Sequence, residues 1–131
     1  MSQGDHEKAV IEAYFDVLRD GEVSRLAALV TDDCDDRNPV RGQLVGRFGV
    51  MQKVLLFRAE HPGARIVIEA IDVTPPVARA TWTTTAPGLD GTPAESTWRY
   101  AAVFEFEGGK LKSSLIERSE RADHGEPKSA P

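Results

Sequence analysis

The sequence predicts an α+β fold in which three N-terminal helices pack on a curved, mostly antiparallel sheet. Apolar residues recur at helical spacing before residue 60, whereas apolar and polar residues alternate between residues 65 and 119. Because helices followed by consecutive strands favour segregated layers, we expect the helices to cover one face of the sheet. The 131 residues, 40% hydrophobic and 28% charged, fit one domain over 1–119, with 120–131 as a flexible, charged tail.

Three helices are expected in order. The first covers residues 5–20, where apolar side chains form one stripe and Gly21 is suited to end the helix in a left-handed conformation. A shorter second helix covers residues 22–30. The third runs over residues 43–60 and stops at the sequence His61-Pro62-Gly63.

The strands follow, separated by turn residues. Proline and glycine pairs interrupt the alternating pattern at residues 75–76 and 108–109, and a longer Gly/Pro-rich loop covers residues 87–95. The predicted strands cover residues 65–73, 77–86, 97–106 and 111–119.

The stretch between the second and third helices, residues 32–42, is the most polar part of the chain that lies between buried segments. It contains four carboxylates, two arginines, an asparagine and the single thiol, and it leads into a short extended segment at Asn38-Pro39. We expect one wall of any chemical site to lie here.

Composition excludes several classes of function. A net charge of −5 argues against nucleic acids and anionic membrane surfaces as partners. No apolar run approaches the roughly 20 residues of a membrane-spanning helix, and no basic or apolar leader precedes the first helix, so we expect a cytoplasmic protein. With Cys34 as the single cysteine and three scattered histidines, we expect neither a metal site nor a cofactor.

Aromatic and small side chains share one face of two neighbouring strands. Trp98, Tyr100 and Ala102 alternate with polar residues in one strand, and Trp82 lies on the corresponding face of the preceding one. Such a surface suits a pocket for a flat apolar ligand, to which Phe48 on the third helix is also assigned. The alternative is a filled core in which large and small side chains interdigitate.

The order and spacing of several segments resemble the nuclear transport factor 2-like superfamily, in particular its SnoaL-like polyketide cyclase and ketosteroid isomerase branches. The resemblance covers about residues 7–119. It implies a cone-shaped α+β barrel with a deep apolar pocket, often dimeric through the sheet. The segments that carry it are Ala13-Tyr14-Phe15, Asp32-Asp33, Asn38-Pro39-Val40, Phe57 to Pro62, and Glu107-Gly108-Gly109.

Within that resemblance, Tyr14 is similar in place to the tyrosine that donates a hydrogen bond to the oxyanion in ketosteroid isomerases. Asn38 stands where these enzymes carry a general-base aspartate, and Ala102 stands near the position of their second acid. An amide cannot abstract a proton at neutral pH. We therefore consider Asp36, two residues earlier, as the base, the alternative being a solvated turn residue that pairs loosely with Arg37 or Arg41.

Glu69 and Glu117 are the remaining candidate carboxylates on the strands. Facing the pocket, either would have a raised pKa suited to acid–base work; facing outward, each would pair with a nearby arginine. An epoxide hydrolase site of the limonene type is matched by Arg79 alone, since Thr81 stands where the adjacent acid would be.

Two classes of function follow from these residues. The first is a cofactor-independent isomerase, cyclase or epoxide hydrolase acting on a polycyclic, steroid- or polyketide-like compound. The second is a non-catalytic ligand-binding or protein-interaction module of the same fold. In either case we expect a homodimer.

Overall fold

The computed structural model describes residues 4–122. Its helices lie in the first half of this range and its strands mainly in the second. The elements are α1 (Asp5–Asp20), a 3₁₀ turn (Val23–Arg25), α2 (Leu26–Leu29), β1 (Val30–Asp36), α3 (Gly46–Glu60), β2 (Arg65–Thr74), β3 (Val77–Pro87), β4 (Glu95–Glu107) and β5 (Lys110–Arg121).

Helix α1 has the predicted bounds. Its buried side chains, Val10, Ile11, Phe15 and Val17, form the apolar stripe that faces the sheet. Gly21 follows with φ at 77°, and its N–H donates to the carbonyl of Val17 at 2.7 Å. This left-handed closure of the helix is the one that the sequence predicted.

The five strands form one sheet in the order β1-β5-β4-β3-β2. Strands β2 to β5 are an antiparallel meander, whereas β1 runs parallel to β5. The buried apolar side chains of the strands belong to one face, on which the helices pack. The α+β prediction is confirmed, and the sheet is open, because β1 and β2 form its two edges within residues 4–122.

The acidic stretch itself forms strand β1, whereas the sequence analysis expected the extended segment to follow it. Val30 and Cys34 are buried against the core, while Asp33 and Asp35 are exposed. Two buried apolar side chains therefore attach the strand to the core, and the carboxylates beside them face solvent. Charges on an edge strand also discourage pairing with another chain.

Helix α3 begins at Gly46, three residues later than predicted. Gly46 has φ at 75°, and a Cβ there would lie 2.6 Å from the carbonyl oxygen of Asp32. A larger residue would push the start of α3 away from β1. This close approach sets the side chains of α3 against those of the acidic strand.

The last strand continues to Arg121, two residues beyond the predicted end of the domain. Arg121 is held by an ion pair with Asp90 at 2.7 Å, and Glu120 lies opposite Arg99 on β4. The rest of the predicted tail, residues 123–131, lies outside the described residues. No helix within residues 4–122 has the length and apolar character needed to cross a lipid bilayer.

Candidate functional site

A cavity of about 260 Å³ lies between α1, α3 and the inner face of the sheet. It reaches the surface, because several of its lining side chains are partly exposed. Most of the lining is apolar, with polar groups concentrated on a few side chains. The lining residues are Tyr14, Phe15, Leu18, Asp36, Lys53, Val54, Phe57, Ile66, Trp82, Thr84, Tyr100, Phe104, Ser114 and Ile116.

Asp36, at the end of β1, is the carboxylate that borders this cavity. Its side chain is only 11% exposed. One carboxylate oxygen accepts the backbone N–H of Asn38 at 3.0 Å. The other accepts the side-chain amide of Gln43 and the ammonium of Lys53, each at 3.0 Å. Asp36 is therefore a fixed carboxylate at the cavity, held by three donors, rather than the solvated turn residue of the alternative interpretation.

Burial by itself raises the pKa of Asp36, because a dry environment disfavours the charged form. The hydrogen bonds from Gln43, Asn38 and Lys53, together with the positive charge of Lys53, outweigh burial and hold the pKa below its ordinary value. The carboxylate is therefore ionised at neutral pH and available as a proton acceptor.

Tyr14, on α1, lines the same cavity. Its hydroxyl makes no hydrogen bond with any other residue between 4 and 122. Burial raises the pKa of Tyr14 above its ordinary value, and the nearby charges of Asp36 and Cys34 raise it further. The phenol therefore stays protonated and keeps its O–H free to donate to a ligand.

Asn38, the residue at the family's base position, does not line the cavity. Its side-chain oxygen accepts the backbone N–H of Ile116 on β5 at 2.6 Å. The N–H of Asn38 turns back onto Asp36, which is the pattern of an Asx turn. In an extended segment the side chains of Asp36 and Asn38 would point the same way. The strand ends in this turn instead, so only Asp36 borders the cavity.

Lys53, on α3, is a site residue that the sequence analysis missed. Its ammonium donates to Asp36 and also to the carbonyl oxygen of Asn38 at 2.6 Å. The available signal was its position between Val50, Val54 and Phe57, on the helical face that turns inward. Thr84 and Ser114 are further polar lining residues that periodicity alone did not single out.

An aromatic wall closes one side of the cavity. Trp82 and Tyr100 face each other across β3 and β4, with their rings stacked at 5.6 Å and an angle of 24°. Phe15 meets Trp82 edge-on at 4.8 Å. The alternation in the sequence placed Trp82 and Tyr100 on one face, and both contribute to this wall.

Three of the residues assigned to the ligand lie outside the cavity. Trp98 shares the inner face but donates its indole N–H to the hydroxyl of Ser96 at 3.2 Å, further along β4. Ala102 is 2% exposed and packs in the filled part of the core. Phe48 is 68% exposed, because α3 turns Val50 and Val54 inward instead.

The two strand glutamates also lie away from the cavity. Glu69 accepts from the guanidinium of Arg99 at 2.9 and 3.2 Å, and this ion pair holds the pKa of Glu69 below its ordinary value. Glu117 pairs with Arg79 at 2.8 Å. Both pairs are exposed, in the outward arrangement that the sequence analysis left open. Arg79 is thereby engaged outside the cavity.

Cys34 neighbours the site on β1 and is 5% exposed. Burial raises the pKa of its thiol to about 11, and the adjacent carboxylates act in the same direction. A thiol in this state has little nucleophilic character at neutral pH.

Comparisons with solved structures support the fold at low sequence identity. A SnoaL-like polyketide cyclase from Agrobacterium tumefaciens superposes with a TM-score of 0.71 at 18% identity, over 87% of this chain and 89% of its own. A candidate polyketide cyclase from Bacillus cereus gives 0.75 at 17%, over 89% and 79%. TsrD from Streptomyces laurentii gives 0.75 at 13%, over 98% and 96%.

A comparison with curated proteins gives no match. The family profile of the SnoaL-like domain matches residues 11–114, which include α1 from Ile11 onward, the acidic strand, α3 and the sheet up to Ser114 on β5. The implied barrel is wrong, because the sheet formed within residues 4–122 is open, with β1 and β2 at its edges. The matched span contains nearly all of the cavity lining, and its α+β architecture agrees with the resemblance. The chain therefore belongs to the SnoaL-like domain family, within the nuclear transport factor 2-like superfamily.

Proposed function

We propose that the protein is a cofactor-independent enzyme, an isomerase or a cyclase. Its reaction begins with removal of a proton from the carbon next to a carbonyl group. The observation that carries the proposal is that an ionised carboxylate and a phenol without a hydrogen-bond partner among residues 4–122 border one apolar cavity. In this reaction the carboxylate of Asp36 takes the α-proton, the electron pair of the C–H bond forms a C=C bond to the carbonyl carbon, and the π pair of the C=O bond moves onto the oxygen. The hydroxyl of Tyr14 donates a hydrogen bond to the resulting enolate oxygen.

Two outcomes follow from such an enolate. When the substrate carries a C=C bond conjugated with the enolate, return of the proton from Asp36 to the far carbon of this dienolate completes an isomerisation. Attack of the enolate carbon on a second carbonyl carbon of the substrate closes a ring, and the new alkoxide takes the proton back from Asp36. The polyketide cyclase among the solved relatives supports the second chemistry for this chain by analogy of fold.

The reaction can be tested without the natural substrate. A small cyclic ketone in deuterium oxide exchanges its α-protons, which proton NMR follows over time. We expect the protein to accelerate this exchange, and we expect Asp36→Asn to reduce the acceleration by about 10²-fold or more. Tyr14→Phe should reduce it by about 10-fold to 10²-fold, since one hydrogen-bond donor to the oxyanion is lost.

Asp35→Asn is the matched control, because Asp35 is the neighbouring carboxylate and is exposed. Exchange that is equally fast with Asp36→Asn and with the unchanged protein would sink the proposal. The engagement of Asp36 by three donors favours a second candidate, a non-catalytic binding module. Ligand binding without any catalysed exchange would select that second function.

We also propose that the protein works as a homodimer joined through the outer face of its sheet. The residues of β3 and β4 that face away from the helices include Thr81, Thr83, Ala101 and Val103, which are short or apolar and only half-buried. A surface of short and apolar side chains suits pairing with a second copy.

A further inference from the structure

The volume of the cavity limits what it can enclose. An engineered protein cavity of roughly 150 Å³ is known to hold benzene, which sets a scale of about 25 Å³ per non-hydrogen atom. On that scale the 260 Å³ found here accommodates about ten or eleven such atoms, the size of two fused six-membered rings. A four-ring steroid skeleton, with about twenty atoms, would need roughly twice the volume.

The walls of the cavity match a flat ligand. The stacked rings of Trp82 and Tyr100 form one broad surface, and Phe15 presents its edge beside it. Val54 and Ile66 add aliphatic contacts to the lining. Aromatic surfaces of this kind favour a planar ring system over a branched aliphatic chain.

The polar groups favour a ligand that carries an oxygen and no net charge. Within residues 4–122 the hydroxyl of Tyr14 is a donor without a hydrogen-bond partner, whereas the ammonium of Lys53 already donates to Asp36 and to the carbonyl of Asn38. Because Asp36 and Lys53 balance each other, an anionic ligand would bring an uncompensated charge next to the Asp36 carboxylate.

We propose that the cavity selects neutral compounds of two fused rings bearing a carbonyl or hydroxyl oxygen. 2-Tetralone represents the ketone and 2-naphthol represents the enol-like form. As a statement about the substrate, the inference rests on the function proposed above. As a statement about binding, it rests on the cavity alone.

The selection is measured by calorimetric titration of the full-length protein with phenol, 2-naphthol, estradiol and 2-naphthoate. We expect 2-naphthol to bind at least about 10-fold more tightly than phenol, because its second ring is also buried. Estradiol should bind no more tightly than 2-naphthol, and 2-naphthoate at least about 10-fold more weakly. Estradiol or 2-naphthoate binding 10-fold more tightly than 2-naphthol, or no binding of any of the four, would overturn the inference.

Ile116 offers a way to change the size limit. Replacing this lining residue in the variant Ile116→Ala enlarges the cavity, and we expect the affinity for the three-ring 2-anthrol, relative to that for 2-naphthol, to rise about 10-fold. Ile71→Ala removes the same atoms from a partly buried residue that packs on the core outside the cavity, so the ratio should stay unchanged. Equal ratios in the two folded variants contradict the inference. Phe57→Ala, at the rim, replaces Ile116→Ala if that variant does not fold.

The exchange assay separates this inference from the proposed function. Catalysed exchange with 2-tetralone but not with a four-ring steroid ketone supports both. Exchange with the steroid ketone alone supports the function and overturns the size limit. The expected binding order without catalysed exchange supports the size limit and overturns the function.

Discussion

At the scale of single residues, Asp36 and Tyr14 differ in how far their hydrogen-bonding capacity is used. Asp36 accepts three hydrogen bonds, which hold its pKa down and fix its orientation. Tyr14 keeps its hydroxyl free within the described residues. A fixed acceptor beside a free donor is the arrangement that a proton transfer with oxyanion stabilisation requires.

Lys53 is one of three groups, after Gln43 and the N–H of Asn38, that lower the pKa of Asp36. We predict that Lys53→Met raises the pKa of the Asp36 carboxyl, because both a hydrogen bond and a positive charge are lost while burial remains. Carbon-detected NMR titration of the aspartate carboxyl signal measures the change. Lys112→Met, which removes an exposed lysine of β5, is the control and should leave the pKa of Asp36 unaltered. An unshifted pKa in the Lys53 variant would contradict this role.

Cys34 makes the protein sensitive to alkali. Its thiol pKa is about 11 in the folded protein against an ordinary value of 9.0, so the unfolded chain releases the proton first as pH rises. The stability that the buried, protonated thiol contributes is present below pH 9.0 and is lost as pH approaches about 11. The loss amounts to at most about 1.4 kcal/mol per pH unit.

Urea unfolding between pH 8 and pH 11 checks this prediction. Cys34→Ala lowers stability at every pH by removing buried atoms, but its free energy of unfolding should fall less steeply with pH than that of the unchanged protein. Parallel curves for the two proteins would show that Cys34 does not titrate as described.

At the scale of elements, the junction between β1 and β5 positions the site. Beyond the end of β1, the side-chain oxygen of Asn38 accepts the hydrogen bond from the N–H of Ile116, in the place that a backbone carbonyl of a longer β1 would take. The N–H of Arg37 donates to the carbonyl of Ser114 just before it. The two residues that follow Asp36 are therefore both hydrogen-bonded to β5, and these bonds hold Asp36 at the cavity.

Asn38→Ala should destabilise the protein by about 1–3 kcal/mol, because the N–H of Ile116 loses its acceptor in a partly buried position. Urea unfolding gives the free energy, and hydrogen exchange at the Ile116 amide should speed up at the same time. Arg37→Ala is the control, since its side chain is exposed and its backbone hydrogen bond remains. Unchanged exchange at Ile116 in the Asn38 variant would refute this assignment.

At the scale of the whole molecule, the open sheet has two different faces. One is covered by the helices and contains the core and the cavity. The other carries short side chains and the exposed ion pairs Glu69–Arg99 and Arg79–Glu117. The chemistry belongs to the first face, and the proposed subunit contact belongs to the second.

We predict that sedimentation equilibrium finds twice the mass of the chain. Val103→Glu places a charge in the middle of the outer face and should yield monomers, because a buried unpaired charge disfavours association. Leu55→Glu adds a charge on α3, where the side chain is 49% exposed, and should leave the mass unchanged. A monomeric unchanged protein, or a dimer that only the Leu55 variant dissociates, would exclude this interface.

The sequence by itself determined α1, α3, the four strands of the meander and the faces of the sheet, but not strand β1. The apolar stripe of α1, the closure at Gly21 and the pairing of Trp82 with Tyr100 on one face all follow from spacing along the chain. Such patterns are local, since a helix or strand repeats its side-chain direction every few residues.

The tertiary structure alone decided which polar groups meet. Lys53, which lies on α3 and is 17 residues away in sequence, donates to Asp36. Arg99, 30 residues from Glu69, pairs with it outside the cavity, so Glu69 is not a candidate for the catalytic acid or base. The Asx turn separates Asp36 from Asn38, although spacing in an extended strand would have aligned them. Hydrogen bonds between distant segments depend on how the segments pack, and periodicity along a chain carries no information about the partner that a charged side chain will find.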